Sequence, residues 1–331
     1  MAGRVRTTEP EQGDLSITQL SGRTARPFPQ FRAGESVRDG LVRVASELIG
    51  RAVSRIEFGG KNRAEDLHQV RLTVKRLRAS LRMVRPVIGK AFFGRENRRL
   101  KKVADHLSLL RDAVVSRRTL LKLAGNHSIK QDRKAVALVL ARIAEQGPAS
   151  GQFRERCETA LHQVVGSLVE AADNFQNMLI LAEEWEAIGL GLHNAYREAR
   201  DRMSRAARSD QEEEFHDWRK EMKYLYYELQ MVQPAWPERL GTMLRRLKKL
   251  EEKLGKVHDF AGLRNMLEES PRRYGGRRAV KRVVACLDRQ STRLRRQSQA
   301  LGKKLFLEKP AKFVAKLNTH WADWRSSGES R

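Results

Sequence analysis

Two histidine-led basic stretches carry most of the chemistry this sequence offers. The first runs from His68 to Pro86, HQVRLTVKRLRASLRMVRP. A helical step of about 100° per residue gathers His68, Arg71, Lys75, Arg78 and Arg82 on one sector. Val70, Val74, Leu77, Leu81 and Val84 fall on the neighbouring sector as an apolar stripe. No acid interrupts the stretch. A solvated helix gains by alternating signs at i,i+4. Stacking like charges one turn apart predicts an anion supplied from outside. Lysine offers a phosphate a point charge and arginine a planar fork.

The stretch occurs twice. His216 to Pro234 reads HDWRKEMKYLYYELQMVQP, and His68, Arg71, Lys75, Leu81 and Pro86 recur as His216, Arg219, Lys223, Leu229 and Pro234 at an offset of 148. A downstream block repeats at an offset of 147, with Leu100, Lys101, Lys102, Val103, Leu107 and Asp112 recurring as Leu247, Lys248, Lys249, Leu250, Leu254 and Asp259. Two blocks in one order at nearly one offset indicate a duplicated unit. The reading that follows is a basic cradle around a pseudo-two-fold axis, against unrelated solvated faces. Asp112 and Asp259 close each block, where a carboxylate orients a neighbouring cation or merely caps the surface.

Other chemistries are weaker. Glu65/His68 and Glu213/His216 match the Glu-x-x-His spacing of di-metal bundles, which also need a lone Glu from each of two further helices. The flanking Arg71/Lys75 and Arg219/Lys223 rows would repel a divalent cation. Histidine catalysis lacks a nucleophile, paired carboxylates or a Gly-rich loop beside His68 and His216. Aromatics make up 6% of the chain and are not interleaved with the basic rows, except Trp218, Tyr224, Tyr226 and Tyr227. Stacking platforms for bases are therefore not expected.

The elements that must position these residues are all helical. Ser36 caps a helix with Val37, Leu41, Val44, Leu48, Val53 and Ile56 inward, ended by Gly59-Gly60. The basic helix follows from about Ala64 to Pro86. A third, from Phe92 to Ala124, carries Arg98, Lys101, Lys102, Asp105 and Asp112 on one face. Helices at 130–145 and 152–172 complete the first unit. The second unit reads as helices at 176–208, 211–232, 237–268, 275–304 and 309–324, with Arg245, Lys248, Lys249, Glu252 and Asp259 repeating the earlier face. No strand-like alternation of useful length appears. The expected architecture is all-α, two helical bundles related by an internal pseudo-two-fold repeat around a basic central cavity. The expected divisions are a flexible tail 1–34, bundles 35–172 and 173–325, and a disordered end 326–331.

The chain has 331 residues, with 66 Lys+Arg against 40 Asp+Glu, a formal net charge of +26. That excess points to acidic polymers as partners. From Arg272 to Lys304 there are twelve basic residues and one acid, a second anion-attracting surface. Cys157 and Cys286 sit in amphipathic segments and read as small buried residues. No run of about 18 apolar residues and no signal-peptide core is present, so no membrane span is expected and the protein is placed in the cytoplasm.

These motifs resemble those of the CHAD domain, the conserved histidine α-helical domain. HQVRLTVKRLRASLR is similar to its first signature, His-x-x-Arg-x-x-x-(Arg/Lys)-Arg-Leu-Arg, and FHDWRKEMKYLYYEL to the second. LKKVADHLSLLRDAVV and LKKLEEKLGKVHDFAGL are similar to the Leu-Gly-x-x-x-Asp segment after each, and LFLEKPAKFVAKLNTHW to the family's ending. The resemblance covers roughly 35–324. It implies two four-helix bundles with a basic central cavity, and non-catalytic binding of inorganic polyphosphate, often on polyphosphate granules. Carried over with their helical neighbours, the ligand set is His68, Arg71, Lys75, Arg76, Arg78, Arg82, Arg98, Lys101 and Lys102 from the first repeat. From the second it is His216, Arg219, Lys220, Lys223, Arg245, Lys248 and Lys249. No cofactor or metal is expected. Ser108 stands where the motif has Gly, and Tyr224 and Tyr226 replace the Arg76 and Arg78 pair, which makes the halves unequal in charge. The alternatives are a metal- or histidine-dependent phosphohydrolase acting on polyphosphate or a triphosphate, and a non-specific nucleic-acid binder.

Overall fold

The computed structural model describes residues 28–59, 62–108, 112–125, 132–146 and 150–329. Among these residues there are helices and turns and no strand, in agreement with the all-α reading. Twelve α-helices are described: α1 Val37–Glu57, α2 Arg63–Met83, α3 Lys90–His106, α4 Asp112–Ala124, α5 Arg133–Gln146, α6 Ser150–Gln163, α7 Val165–Gln176, α8 Glu184–Ser209, α9 Glu212–Met231, α10 Pro237–Glu269, α11 Arg277–Leu305 and α12 Pro310–Glu329.

Local sequence accounts for many of these boundaries. The Ser36 side chain accepts a hydrogen bond from the Asp39 amide and starts α1, and Asn62 does the same for α2 through the Glu65 amide. Each relieves an amide that would otherwise lack an intrahelical acceptor. Pro237 opens α10 and needs no such acceptor. Asp210, in the left-handed region at φ 50°, ends α8 and turns the chain into α9.

Two expected helices are broken. The stretch from Phe92 to Ala124 is α3 and α4, and the stretch 152–172 is α6 and α7, which meet at Val164. At the first break Ser108 donates both its amide (2.9 Å) and its hydroxyl (2.7 Å) to the Asp105 carbonyl. A hydroxyl that satisfies a last-turn carbonyl ends a helix as readily as a turn residue does. The corresponding stretch of the second repeat, α10, is unbroken from 237 to 269.

Part of the expected tail is packed. Residues 1–27 lie outside the described part, but Phe31 is buried, donates its amide to the Met231 carbonyl at 3.0 Å and meets Trp321 edge-on. At the other end α12 continues to Glu329, through residues expected to be disordered.

The packing does not divide at 172. One core combines Leu41, Leu48, Leu77, Leu81 and Leu100 of the first repeat with Phe175, Leu192, Trp218, Leu225, Leu247 and Phe313. A second joins Leu120, Leu123, Val136 and Val139 of α4 and α5 to Leu263, Leu267, Val283 and Leu287 of α10 and α11. Cys157 and Cys286 are buried, one in each core, and burial pushes both thiols above their ordinary range. Helix α8 crosses the end of α2 at Gly191, where a methyl group would overlap the Met83 carbonyl oxygen. No described helix is long and apolar enough to cross a membrane.

Candidate phosphate-binding site

The two histidine-led helices α2 and α9 pack against one another. Ala79, Tyr224 and Tyr227 form a small core of their own at this seam. The replacement of Arg76 by Tyr224 in the second repeat therefore has a structural use. Arg78 and Arg82 lie over the Tyr224 ring at 5.9 and 4.2 Å from its centroid, and Arg76 lies over Phe28 at 4.9 Å and Tyr227 at 6.0 Å. Aromatic faces attract cations, and more strongly where water is excluded. Burial holds the Arg76 guanidinium below its ordinary value. Trp218, by contrast, is wholly buried in the main core.

In the second repeat the basic residues converge on one carboxylate. Glu251, on α10, receives Lys223 Nζ at 3.0 Å, Lys248 Nζ at 3.1 Å and Arg219 Nη2 at 3.6 Å. Partial burial opposes ionisation of Glu251, but Lys223, Lys248 and Arg219 outweigh it and hold its carboxyl at about 2. A carboxyl depressed in the folded state contributes stability above its unfolded value and loses it as pH falls from about 4.5 toward about 2. Glu251 was not singled out by sequence. The signal lay in the 147 offset, which aligns it with Ala104.

The first repeat has the same framework without that acid. Arg71, nearly buried, donates through Nη1 to the Ala104 carbonyl of α3 at 3.0 Å. Its counterpart Arg219 lies along α10 at Gly255, where a methyl group would meet its Nε at 3.7 Å. Arg98 and Arg245 fold back over Gly94 and Gly241, whose added methyls would meet them at 3.5 and 3.6 Å. Lys75 is half-buried on α2. Lys101, Lys102 and Lys249 are exposed, and Lys101 pairs with Asp105 at 2.7 Å. Arg78 donates to Asn97 Oδ1 at 3.0 Å.

The histidines behave differently in the two repeats. His68 is exposed on the first turns of α2. His216 is exposed too, but its Nδ1 lies 3.1 Å from Nδ1 of His258 on α10. Partial burial, and then Arg219, hold His216 below its ordinary value. Among the described residues no group of three or more His, Cys, Asp or Glu could hold a metal. Glu65 instead accepts a hydrogen bond from Gln69 at 2.7 Å. The side chain of Asp112 lies outside the described residues. Asp259 stands near Lys122 of α4, whose ammonium is lowered by partial burial and by Arg118 and Lys256, with Asp259 opposing.

Two of the expected ligands have carboxylate partners outside the Glu251 clasp. Arg82 turns away from the row and pairs with Glu221 at 2.6 Å and Glu198 at 2.8 Å, next to the fully buried Glu228. Lys220 lies near Asp217 and Glu221, at 3.6 and 3.8 Å. Arg295 of the C-terminal basic segment is not a plain surface charge: it donates to the Asp210 carbonyl at 2.9 Å and lies over Phe215.

Glu228 gives a stability prediction. Burial pushes its carboxyl well above its ordinary range, with Glu221 and Glu198 adding to the effect and Arg82 opposing. A carboxyl raised in the folded state loses stability as pH rises from the ordinary carboxyl range toward its folded value. Glu228→Gln keeps the shape and removes the proton uptake. At neutral pH it is expected to stabilise the fold by about 1–3 kcal/mol, because each pH unit of upward shift costs the carboxyl about 1.4 kcal/mol and the amide carries no such cost. Thermal melts of both proteins from pH 5 to 8 check this: their difference should widen with pH.

A family model described as the CHAD domain matches residues 44–268. No curated protein matches the chain. Among solved structures the fold is similar to PptA from Streptomyces chartreusis, with a TM-score of 0.55 at 14% identity, over 82% of this chain and 98% of that one. A second similar structure is the CHAD domain from the plant Ricinus communis, with a TM-score of 0.49 at 16% identity, over 89% and 96%.

Proposed function

The chain belongs to the CHAD-domain family, and from that premise we propose that it binds inorganic polyphosphate without cleaving it, through the basic faces of α2, α3, α9 and α10. The observation that supports this most is the clasp in the second repeat, where Arg219, Lys223 and Lys248 reach from two helices to a single anionic group. Three cations on a rigid pair of helices are a preorganised site for phosphoryl oxygens, because charge-assisted bonds of this kind are roughly twice as strong as neutral ones. The ligand set is His68, Arg71, Lys75, Arg78, Arg98, Lys101 and Lys102 with His216, Arg219, Lys223, Arg245, Lys248 and Lys249. Arg76 lines the seam between the two sets, and Arg82 and Lys220, held by carboxylates, are outside it. In this reading the protein acts in the cytoplasm at polyphosphate granules.

Binding is expected to be dominated by phosphate charge. Neutralising several phosphates makes affinity fall steeply with salt, by a law established for DNA whose form is borrowed here. Titrations with long-chain polyphosphate at low and physiological salt should differ by at least about tenfold, and an unchanged affinity contradicts the proposal. The same titrations with duplex DNA as competitor separate polyphosphate from nucleic acid. Release of orthophosphate, with or without a divalent metal, would identify a hydrolase instead.

A further inference from the structure

Resting on the polyphosphate reading, we propose that His258 is a positioning residue for His216. Together the two rings take up one proton when a phosphate chain enters the second half of the site. His258 lies outside both histidine-led stretches and outside the expected ligand set. Its Nδ1 is 3.1 Å from Nδ1 of His216, with the ring centroids 4.7 Å apart. Such a contact takes one donor and one acceptor, so only one of the two facing nitrogens carries a proton. Nε2 is then the remaining polar atom of His216, whose side chain is exposed.

The pair stands in line with the clasp. Along α10, Glu251, Gly255 and His258 fall at i, i+4 and i+7, on one face, with His258 about 10.5 Å along the axis from Glu251. Arg219 spans that interval: its Nη2 is 3.6 Å from Glu251, and its Nε would meet a methyl group at Gly255. His216 precedes Arg219 by one turn of α9. A polyanion held by Lys248, Lys223 and Arg219 that continues along α10 meets the histidines next.

The surrounding charges set the direction of the proton. Partial burial, and then Arg219, hold His216 below its ordinary value, with Lys220 adding and Asp217 and Glu213 opposing. The nearby acids are already engaged. Arg202 of α8 holds Asp217 at 2.8 Å, and Arg264 of α10 holds Glu212 at 2.8 Å and approaches Asp288 of α11 at 3.6 Å. Asp259 stands near Lys122 of α4, and Glu221 pairs with Arg82 of α2. A phosphate oxygen supplies the negative charge that favours the imidazolium. The facing ring nitrogen then makes a charge-assisted hydrogen bond with it. One added proton keeps the N–H···N contact, whereas a second would set two N–H groups against each other, so the pair titrates in two steps. At the 147 offset the first repeat has Arg111 in place of His258, so the pair belongs to the second half alone.

The test is the affinity for long-chain polyphosphate at fixed salt from pH 8 to pH 6, a range in which its interior phosphates stay ionised. Proton uptake on binding makes wild type bind more tightly as pH falls, by up to about tenfold per pH unit for one proton. His258→Phe, which keeps a ring without a nitrogen, should lose most of that gain while changing little at pH 8. His258→Asn, whose side-chain oxygen accepts from Nδ1, should restore it. His216→Asn should also lose it, and adding His258→Phe should change nothing further, because the two rings act as one unit. A wild-type profile in His258→Phe, or a flat profile in wild type, overturns the proposal. If no protein binds polyphosphate at any pH, the polyphosphate reading fails instead. Nitrogen NMR of the imidazoles then still decides on the pair: His216 should titrate in two steps in wild type and in one step in His258→Phe. Identical titrations would show that the rings do not share a proton.

Discussion

Charge reversal at Lys75 and Lys223 together is expected to abolish nearly all specific binding of long-chain polyphosphate, a loss of about 100-fold or more. Each substitution removes a charge-assisted contact, worth about 1.5–3 kcal/mol, and adds a repulsion. Lys223→Glu has the larger single effect, since the new carboxylate would lie against Glu251, 3.0 Å from the present ammonium. Neither residue belongs to the apolar stripe of its helix, so circular dichroism should remain helical. Lys75→Gln and Lys223→Gln, which remove charge without adding repulsion, should show the same order with smaller losses. The control is Arg293→Glu with Arg296→Glu, two exposed positions of α11 with the same change in net charge. Fluorescence titration at fixed salt distinguishes the outcomes. If the control pair is as damaging as the Lys75 and Lys223 pair, the protein is a diffuse basic surface and the two-sided site is wrong.

The largest expected loss of stability from a single methyl group is at Gly191. Gly→Ala inside a helix ordinarily gains up to about 1 kcal/mol from backbone entropy. Here the methyl would overlap the Met83 carbonyl oxygen, and the carbonyl carbon and Cα of Met83 lie close behind it. Backbone cannot rotate out of the way as a side-chain tip can, so α8 must move off α2. Overpacking of this kind costs about 1–3 kcal/mol, occasionally more. The melting temperature of Gly191→Ala should therefore fall by several degrees, at about 2–4 °C per kcal/mol for a chain of this size class. Gly50→Ala, in α1 with nothing near its added methyl, should melt at or above wild type. Equal behaviour of the two variants would mean that the close crossing does not hold in solution.

The sequence made the histidine-led helices legible because each advertises itself twice, through an apolar stripe and through repetition. α2 was expected from about Ala64 and begins at Arg63, and α9 was expected at 211–232 and spans 212–231. The breaks at Ser108 and Val164 were not legible. The first carries neither proline nor glycine and is made by a hydroxyl that competes for a carbonyl, and at the second Gly166 lies inside the first turn of α7. The basic row was legible as a row, but not its internal chemistry. Arg82 has the same type and helical phase as its neighbours. Only the approach of Glu198 and Glu221, 116 and 139 residues away, takes it out of the proposed ligand set. Glu251 was hidden for a related reason: along α10 it looks like a member of an ordinary charged run, and its meaning comes from the register of α10 against α9. Tyr224 of the second repeat reads as a loss of charge, and the packing shows it to be a seat for Arg78 and Arg82 of the first.

The second core has a consequence for the order in which the chain can mature. Leu120, Leu123, Val136 and Val139 emerge from the ribosome well before Leu263, Leu267, Val283 and Leu287, which complete their burial. Phe31 likewise waits for Met231 and Trp321, almost at the far end. Apolar surface left uncovered during synthesis is prone to aggregation. The two halves of the sequence are thus joined through their interiors, since each keeps part of its buried surface in the other. A nascent chain must be protected until its last helix has been made.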